Sequence, residues 1–189
     1  MRRLTLLAVL SLYWGAPAAA DDLTVEAQRR GEALEVACRA TLIAPVELIW
    51  QTLTDYNRLA EFIPGMRRSR VIATRADGVV VEQSGEATFL FLSFPIDAVL
   101  VAVERPPHAI DVRMEKGNLK RLEGGYRIAP QPGGRVLLTW NGIIEAVSAP
   151  PLFGEFLMRA SIEDQFRGMV REIERREAQR RARESGAKP

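Results

Sequence analysis

Apolar and polar side chains alternate over residues 34–42, and this alternation predicts a strand with one buried face. Glu35 and Arg39 lie on the polar face, as expected where the second side of a sheet meets water. The polar residues 21–32 show no such pattern and are predicted to lead into the fold. The apolar face of the strand carries Leu34, Val36, Cys38, Ala40 and Leu42.

Two short helices are predicted after this strand. Ala44-Pro45 starts the first one, because proline fits an opening helical turn and Glu47 suits its positive end. Its apolar positions recur at helical spacing, and Thr54-Asp55 is predicted to cap the second helix, which ends at Pro64-Gly65. The apolar positions are Val46, Ile49, Trp50 and Leu53 in the first helix, and Tyr56, Leu59, Ala60 and Phe62 in the second.

Six consecutive strands are predicted next, separated by turn signals. Asp77-Gly78, Gly117-Asn118 and Gly133-Gly134 mark three of the turns, and Pro106-Pro107 marks a fourth. The segment 79–92 is long enough to need a bend, which Gly85 could supply. The predicted strands are 70–74, 79–92, 96–104, 110–115, 119–128 and 135–146.

An amphipathic pattern over residues 151–183 predicts one long closing helix whose last, highly charged turns project into water. Consecutive hairpins imply an antiparallel sheet. The order of elements therefore predicts an α+β fold, in which a curved antiparallel sheet holds the terminal helix on its concave face. The apolar positions of the helix are Phe153, Phe156, Leu157, Ala160, Phe166, Met169, Val170 and Ile173.

The N-terminus has the three parts of a secretory signal peptide. Arg2 and Arg3 precede a short apolar stretch, and Ala18-Ala19-Ala20 provides small residues for cleavage. The apolar run is too short to span a bilayer. We therefore predict a signal peptide over residues 1–20 cleaved near Ala20, a lead over 21–32, one domain over 33–175 and a charged tail over 176–189, in a periplasmic or secreted protein.

Composition and charge exclude several classes of protein. The chain has 189 residues, 47% of them apolar, which suits one globular domain. A single Cys and a single His cannot form a disulfide framework or a zinc site of several soft ligands, so no metal and no cofactor are expected. Two of the 26 Lys and Arg residues lie in the predicted signal peptide, so the remainder balance the 24 Asp and Glu residues. A nucleic-acid partner is not expected from a neutral chain with only a basic tail.

A catalytic constellation is not apparent in the sequence. His108 follows Pro106-Pro107 in a predicted turn, where an exposed side chain is expected. Strand carboxylates could form an acid–base pair, but alternation favours a solvent-facing position for them. The residues with this ambiguity are Glu82, Glu86, Asp97, Arg113, Arg121 and Glu123. We therefore do not expect an enzyme on this evidence.

Two segments resemble a known family. APVELIWQTLTDYNRLAEFIPGMRRSRVI, residues 44–72, is similar to the first helical region of START-like helix-grip proteins, above all in Asp55-Tyr56, Phe62-Ile63-Pro64 and Ser69-Arg70-Val71. GNLKRLEGGYRIAP, residues 117–130, is similar to a region where members pair two strands. The resemblance covers about residues 33–175 and is nearest to the coenzyme-Q-binding and polyketide cyclase/dehydrase-like branch.

The resemblance implies an elongated apolar cavity between the sheet and the last helix, which in such proteins holds lipids, quinones, sterols or polyketides. Tyr126 is the best candidate for a polar group in an apolar wall, and Gly124, Gly125 and Gly142 leave room beside it. Each aromatic could equally well fill the core. The predicted ligand-binding residues are Phe62, Met66, Phe89, Phe91, Met114, Tyr126, Trp140, Phe153, Phe156 and Leu157.

Three hypotheses about function remain open. The first is a monomeric protein that binds a hydrophobic small molecule, lipid-like or quinone-like, and shields it from water. The second is a cyclase or dehydratase that uses Tyr126 or a cavity carboxylate of raised pKa as its acid. The third is an interaction module with a filled core, which contacts an anionic membrane through the basic end of the last helix.

Overall fold

The computed structural model describes residues 23–89, 92–147 and 154–186, with side chains at all of them except 88, 89, 92 and 154–157. Strands β1 (Thr24–Arg30) and β2 (Ala33–Leu42) come first. Helix α1 (Val46–Leu53) and a 3₁₀ helix (Tyr56–Glu61) follow. The remaining elements are β3 (Met66–Arg75), β4 (Gly78–Phe89), β5 (Leu92–Arg105), β6 (Ala109–Gly117), β7 (Leu119–Gln131), β8 (Arg135–Ala146) and α2 (Gly154–Gly186).

The eight strands form one antiparallel sheet in the order β1-β2-β8-β7-β6-β5-β4-β3. The sheet is curved and α2 lies against its concave face, so the predicted α+β helix-grip architecture is confirmed. Alternation on β2 is also as predicted, because Val36, Cys38 and Ala40 are buried while Arg39 is exposed. Within the described residues, no helix combines the length and the apolar character needed to cross a membrane.

Two strand predictions were wrong. The lead over 21–32 contains β1, which pairs with β2 although its sequence is largely polar, because an edge strand is stabilised mainly by its ladder hydrogen bonds. Phe89 at the end of β4 pairs with Leu92 at the start of β5, so the predicted strand 79–92 belongs to two strands, and Pro95 lies inside β5. Residues 89–92 include no Gly, Pro, Asn or Asp that would indicate a break between strands. Gly85 serves a close approach, because a Cβ there would strike the Gly65 carbonyl oxygen.

Asp55 does not cap the second helix as predicted. No side-chain hydrogen bond caps the 3₁₀ helix, and the Asp55 carboxylate instead accepts a hydrogen bond of 2.8 Å from the Arg176 guanidinium on α2. The same guanidinium lies 5.5 Å from the centre of the Phe62 ring and donates to Glu172 at 2.7 Å. These contacts join α2 to the helical segment that covers one end of the sheet.

The C-terminal half of α2 is held by buried apolar and charged groups. Ile173 and Phe166 face the core, as predicted. Glu172 is 6% exposed and binds Arg175 and Arg176, and Glu177 is 5% exposed and binds Arg180 and Arg181. The packed helix therefore continues past the predicted boundary at residue 175. Each of these four arginines is therefore in at least one ion pair with a buried carboxylate of the same helix.

We expect the stability of the fold to decrease in acid through Glu172 and Glu177. Hydrogen bonds from Arg175 and Arg180, respectively, hold the pKa values of these carboxyls below their ordinary value of 4.5. A lowered folded-state pKa gives stability that is present above the unfolded value and is lost as pH falls through the folded value. Urea unfolding at pH 7 and at steps below pH 4.5 measures the loss. Glu172→Gln should flatten the profile, and an unchanged profile would contradict this role.

Candidate functional site

Two connected chambers lie between the concave face of the sheet and α2. The inner chamber has a volume of about 190 Å³ and the outer chamber about 130 Å³. Tyr56 and Ile63, in and just after the 3₁₀ helix, line the inner chamber. Met158 and Ser161, in the first described turns of α2, line the outer chamber. The two chambers adjoin, because they share seven lining residues: Met66, Gln83, Leu100, Leu122, Ile144, Ile162 and Gln165.

Strand alternation and small side chains create this space. On β4, every second residue from Val81 to Ala87 lines a chamber. Ala98, Ala102 and Gly124 contribute little volume to their walls, so the sheet and the helix leave a gap between them. From α2, spacings of three and four residues supply Ile162, Gln165, Phe166 and Met169.

Tyr56 lines the inner chamber and is held by Glu104, which lies outside the lining. The Tyr56 hydroxyl donates a hydrogen bond of 2.8 Å to Glu104 Oε1. Glu104 lies on the same face of β5 as Leu100 and Ala102, which line the chamber. Burial, and then the bond to Glu104, raises the pKa of Tyr56, so its hydroxyl stays protonated and is engaged by the protein.

Tyr126 and Cys38 place neutral polar atoms in the wall of the inner chamber. Both line it, and neither side chain forms a hydrogen bond with another described residue. Burial raises the pKa of the Tyr126 hydroxyl. Burial, and to a smaller extent the charge of Glu163, raises the pKa of the Cys38 thiol to about 12. Both groups are therefore protonated at neutral pH, and Tyr126 is a hydrogen-bond donor.

Trp140 lies over a pair of glycines. Gly124 and Gly142 are opposite each other on β7 and β8. A Cβ at Gly142 would overlap the six-membered ring of Trp140, and one at Gly124 would lie 3.2 Å from Trp140 Cζ2. The indole can occupy this part of the wall because Gly142 lacks a side chain, whereas a Cβ at Gly124 would first strike the Asn141 carbonyl oxygen. The room that Gly142 was predicted to leave is therefore taken by Trp140.

Gln83 and Gln165 place two amides where the chambers meet. Gln83 Nε2 donates to Ser69 Oγ at 3.3 Å, and Gln165 Nε2 donates to Ser161 Oγ at 3.2 Å. Neither amide oxygen accepts a hydrogen bond from a described residue. The junction therefore has polar groups that could orient a bound molecule in a largely apolar space.

The described walls of the inner chamber carry no charged side chain. Glu86 borders the outer chamber, where Ser93 and Arg67 bind its carboxylate and lower its pKa, Ser93 most strongly. His108 is exposed, as predicted. The described residues include no group of three or more His, Cys, Asp and Glu that could hold a metal ion.

The structure brings together three of the predicted ligand-binding residues, since Met66, Tyr126 and Trp140 all line the inner chamber. Phe62 lies outside both chambers beneath Arg176. Met114 also lines neither chamber, and its sulfur lies beside Gly117 near the strand end. Phe91 and Phe153, and the side chains of Phe89, Phe156 and Leu157, lie outside the described residues.

Sequence reasoning missed Tyr56, Gln83 and Gln165 as chamber residues and Glu104 as the partner of Tyr56. Alternation could have indicated two of them, because Gln83 shares a face with Val81 and Glu104 with Ala102. Helical spacing also places Gln165 on the stripe of Ile162 and Met169. Tyr56 was assigned to the apolar side of the second helix, and the other three residues were not singled out.

A curved sheet that grips a terminal helix, with an apolar space between them, defines the START-like helix-grip class. Residues 42–174 match the family described as polyketide cyclase / dehydrase and lipid transport. The chain belongs to this family, so the predicted membership is confirmed. A comparison with curated proteins found no match.

Solved structures of low sequence identity share the fold. A STAR-related lipid transfer protein fragment from Xanthomonas axonopodis is 14% identical with a TM-score of 0.64, over 82% of this chain and 95% of that one. The Zhui aromatase/cyclase from Streptomyces sp. R1128 is 18% identical with a TM-score of 0.63, over 76% and 95%. A START superfamily protein from Mycobacterium smegmatis is 15% identical with a TM-score of 0.63, over 75% and 97%.

Proposed function

We propose that this protein binds a hydrophobic small molecule in the two connected chambers and shields it from water. The observation that carries the proposal is the space between sheet and helix, whose inner part has an uncharged and mainly apolar lining. Burial of apolar ligand surface contributes about 25 cal/mol per Å² before the costs of association. The lipid-transfer and cyclase relatives agree with a ligand of this kind.

We further propose that the protein acts outside the cytoplasm. The support is the arrangement of residues 1–20, in which two arginines, an apolar stretch and a run of alanines follow one another. Intact mass measurement of the protein from the periplasm or the medium tests this proposal. A mass that begins after Ala20 is expected, whereas a full-length cytoplasmic product would contradict it.

The experiment that tests binding is native mass spectrometry of the purified full chain, combined with solvent extraction of whatever it carries. We expect a co-purifying hydrophobic molecule, and a rise in melting temperature when quinones, fatty acids or aromatic ketones are added to the emptied protein. Repeated recovery of empty protein, without a thermal shift for any of these compounds, would overturn the proposal.

The described lining supports binding better than catalysis by an acidic group. The carboxylate that borders the outer chamber, Glu86, has a lowered pKa, which is the opposite of what a carboxylic acid catalyst at neutral pH requires. The Glu104 carboxylate already accepts a hydrogen bond from the Tyr56 hydroxyl. Catalysis as a cyclase or dehydratase, with Tyr126 as the acid, stays a hypothesis. Tyr126 lines the inner chamber, and burial raises the pKa of its hydroxyl, which is therefore protonated.

Membrane contact through the basic end of α2 is supported less well than ligand binding. Arg180 and Arg181 bind Glu177, and Arg180 also binds Glu184, so two carboxylates face these two guanidinium groups before any lipid is present. Arg176 also holds Asp55, which makes removal of residues 176–189 a change to the fold as well as to its charge. Vesicle binding by the full chain at several salt concentrations, rather than the truncation, is the appropriate measurement.

A further inference from the structure

A row of polar side chains crosses the concave face of the sheet at one level. Tyr126 on β7 is paired with Trp140 on β8, and Trp140 is paired with Cys38 on β2. Paired residues of neighbouring antiparallel strands have their side chains on the same face, about 5 Å apart at Cβ. All three line the inner chamber. The row therefore concentrates hydrogen-bonding groups in one part of an otherwise apolar wall.

Two strong donors in this row have no acceptor in the described protein. The Tyr126 hydroxyl and the Trp140 indole N–H form no hydrogen bond with a described residue. Every fully buried side-chain nitrogen or oxygen of the described residues has a hydrogen-bond partner. Because the Tyr126 hydroxyl and the Trp140 N–H have no partner among these residues, neither atom is fully buried. A donor that is left unpaired in an apolar space is costly, so an acceptor supplied from the chamber would be favoured.

The charge of the chamber lining determines which kind of hydrogen-bond acceptor is favoured beside Tyr126 and Trp140. The described lining of the inner chamber contains no cationic side chain that could pair with a buried anion. Moving an ionised carboxylate from water into such a space costs far more than two neutral donors return. An uncharged carbonyl or ether oxygen accepts from the same donors at a much smaller desolvation cost.

We propose that the Tyr126 hydroxyl and the Trp140 N–H select an uncharged hydrophobic ligand that carries a carbonyl oxygen, such as a ketone, quinone or ester, over a hydrocarbon or a carboxylate of the same shape. This inference rests on the proposed function and adds the chemical class of the ligand. Tyr126 is the specificity-determining residue that can be tested with least disturbance, because Tyr126→Phe removes one oxygen and leaves the ring in place.

Three naphthalenes of similar shape test the selection by isothermal titration calorimetry: 2-acetylnaphthalene, 2-isopropenylnaphthalene and 2-naphthoate. We expect the ketone to bind most tightly. Tyr126→Phe should weaken ketone binding by about five- to tenfold, the effect of one hydrogen bond, and should leave hydrocarbon binding unchanged. Thr139→Val is the matched control, because it removes a hydroxyl oxygen next to Trp140 on β8 but on the opposite face of the sheet, outside both chambers. It should preserve the preference for the ketone.

The possible results separate this inference from the proposed function. Equal affinity for the ketone and the hydrocarbon, or an unchanged preference in Tyr126→Phe, would overturn the selection while leaving hydrophobic binding intact. Tightest binding of the carboxylate would overturn it as well. If none of the three probes binds the wild-type protein, the selection fails, whereas the proposed function is decided separately by the extraction and thermal-shift experiment.

Discussion

Replacing Leu122 with Trp is expected to abolish ligand binding while the protein stays folded. Leu122 lines both chambers, so a larger side chain there would occupy the space where they join. We expect affinity for 2-acetylnaphthalene to fall by more than about tenfold, because the ligand and the indole would compete for a space of only about 190 Å³. Calorimetric titration of the purified variant measures the effect, and its melting temperature shows whether it is folded.

The matched control is Leu137→Trp. Leu137 lies on β8 between the buried residues Val136 and Leu138, so alternation places it on the opposite face of the sheet. The same increase in volume outside the chambers should leave affinity within about twofold of wild type. Unimpaired binding by a folded Leu122→Trp protein would show that the ligand does not occupy these chambers.

Replacing Ile173 with Ala is expected to give a large loss of stability. Ile173 has no exposed surface and belongs to the core between the helix and the sheet. Removing its side-chain methyl groups should cost about 3 kcal/mol, from lost apolar burial and the cavity left behind. For a chain of this size, that corresponds to a decrease in melting temperature of roughly 6–12 °C.

Ile72→Ala provides the same chemical change on the surface. Ile72 lies on edge strand β3 and is 44% exposed. A change of less than about 0.5 kcal/mol is expected there. Urea unfolding of both variants measures the difference. Similar stabilities for the two variants would contradict the tight packing of α2 against the sheet, and with it the geometry that bounds the chambers.

The strand faces could be predicted from sequence because alternation is a local property. Val36, Cys38 and Ala40 were assigned to the buried face of β2 from their spacing alone, and they are buried. The apolar stripe of α2 could be predicted for the same reason, and Phe166 and Ile173 are in the core. Burial of such faces is what drives the fold, so the pattern carries the information directly.

The predictions failed where a residue's role depends on a distant partner. Asp55 has the residue type and position of a helix cap, but Arg176, 121 residues away, takes its carboxylate. Phe62 was assigned to the cavity because it comes from an element predicted to surround it, but Phe62 lines neither chamber and lies beneath the same arginine. Neither contact leaves a trace in local spacing.

The prediction of one strand over 79–92 failed for a different reason. Phe89 pairs with Leu92, yet the sequence around them is an uninterrupted apolar run. Sequence reasoning located turns by Gly, Pro, Asn and Asp, which favour them for local conformational reasons. Here the register of β4 against β5 sets where β4 ends and β5 begins, and this register is not a local property.

By itself, the sequence determined the order of elements from β2 onwards and the apolar faces of the strands and of the closing helix. These features indicated the family, whose fold leaves a space between sheet and helix. Only the tertiary structure decided what faces that space. The register of strands far apart in the chain set Tyr126, Trp140 and Cys38 side by side, and the packing of α2 brought Gln165 to Gln83. Local periodicity fixes which side of an element is apolar, whereas register and packing between distant segments fix which polar atoms share a cavity.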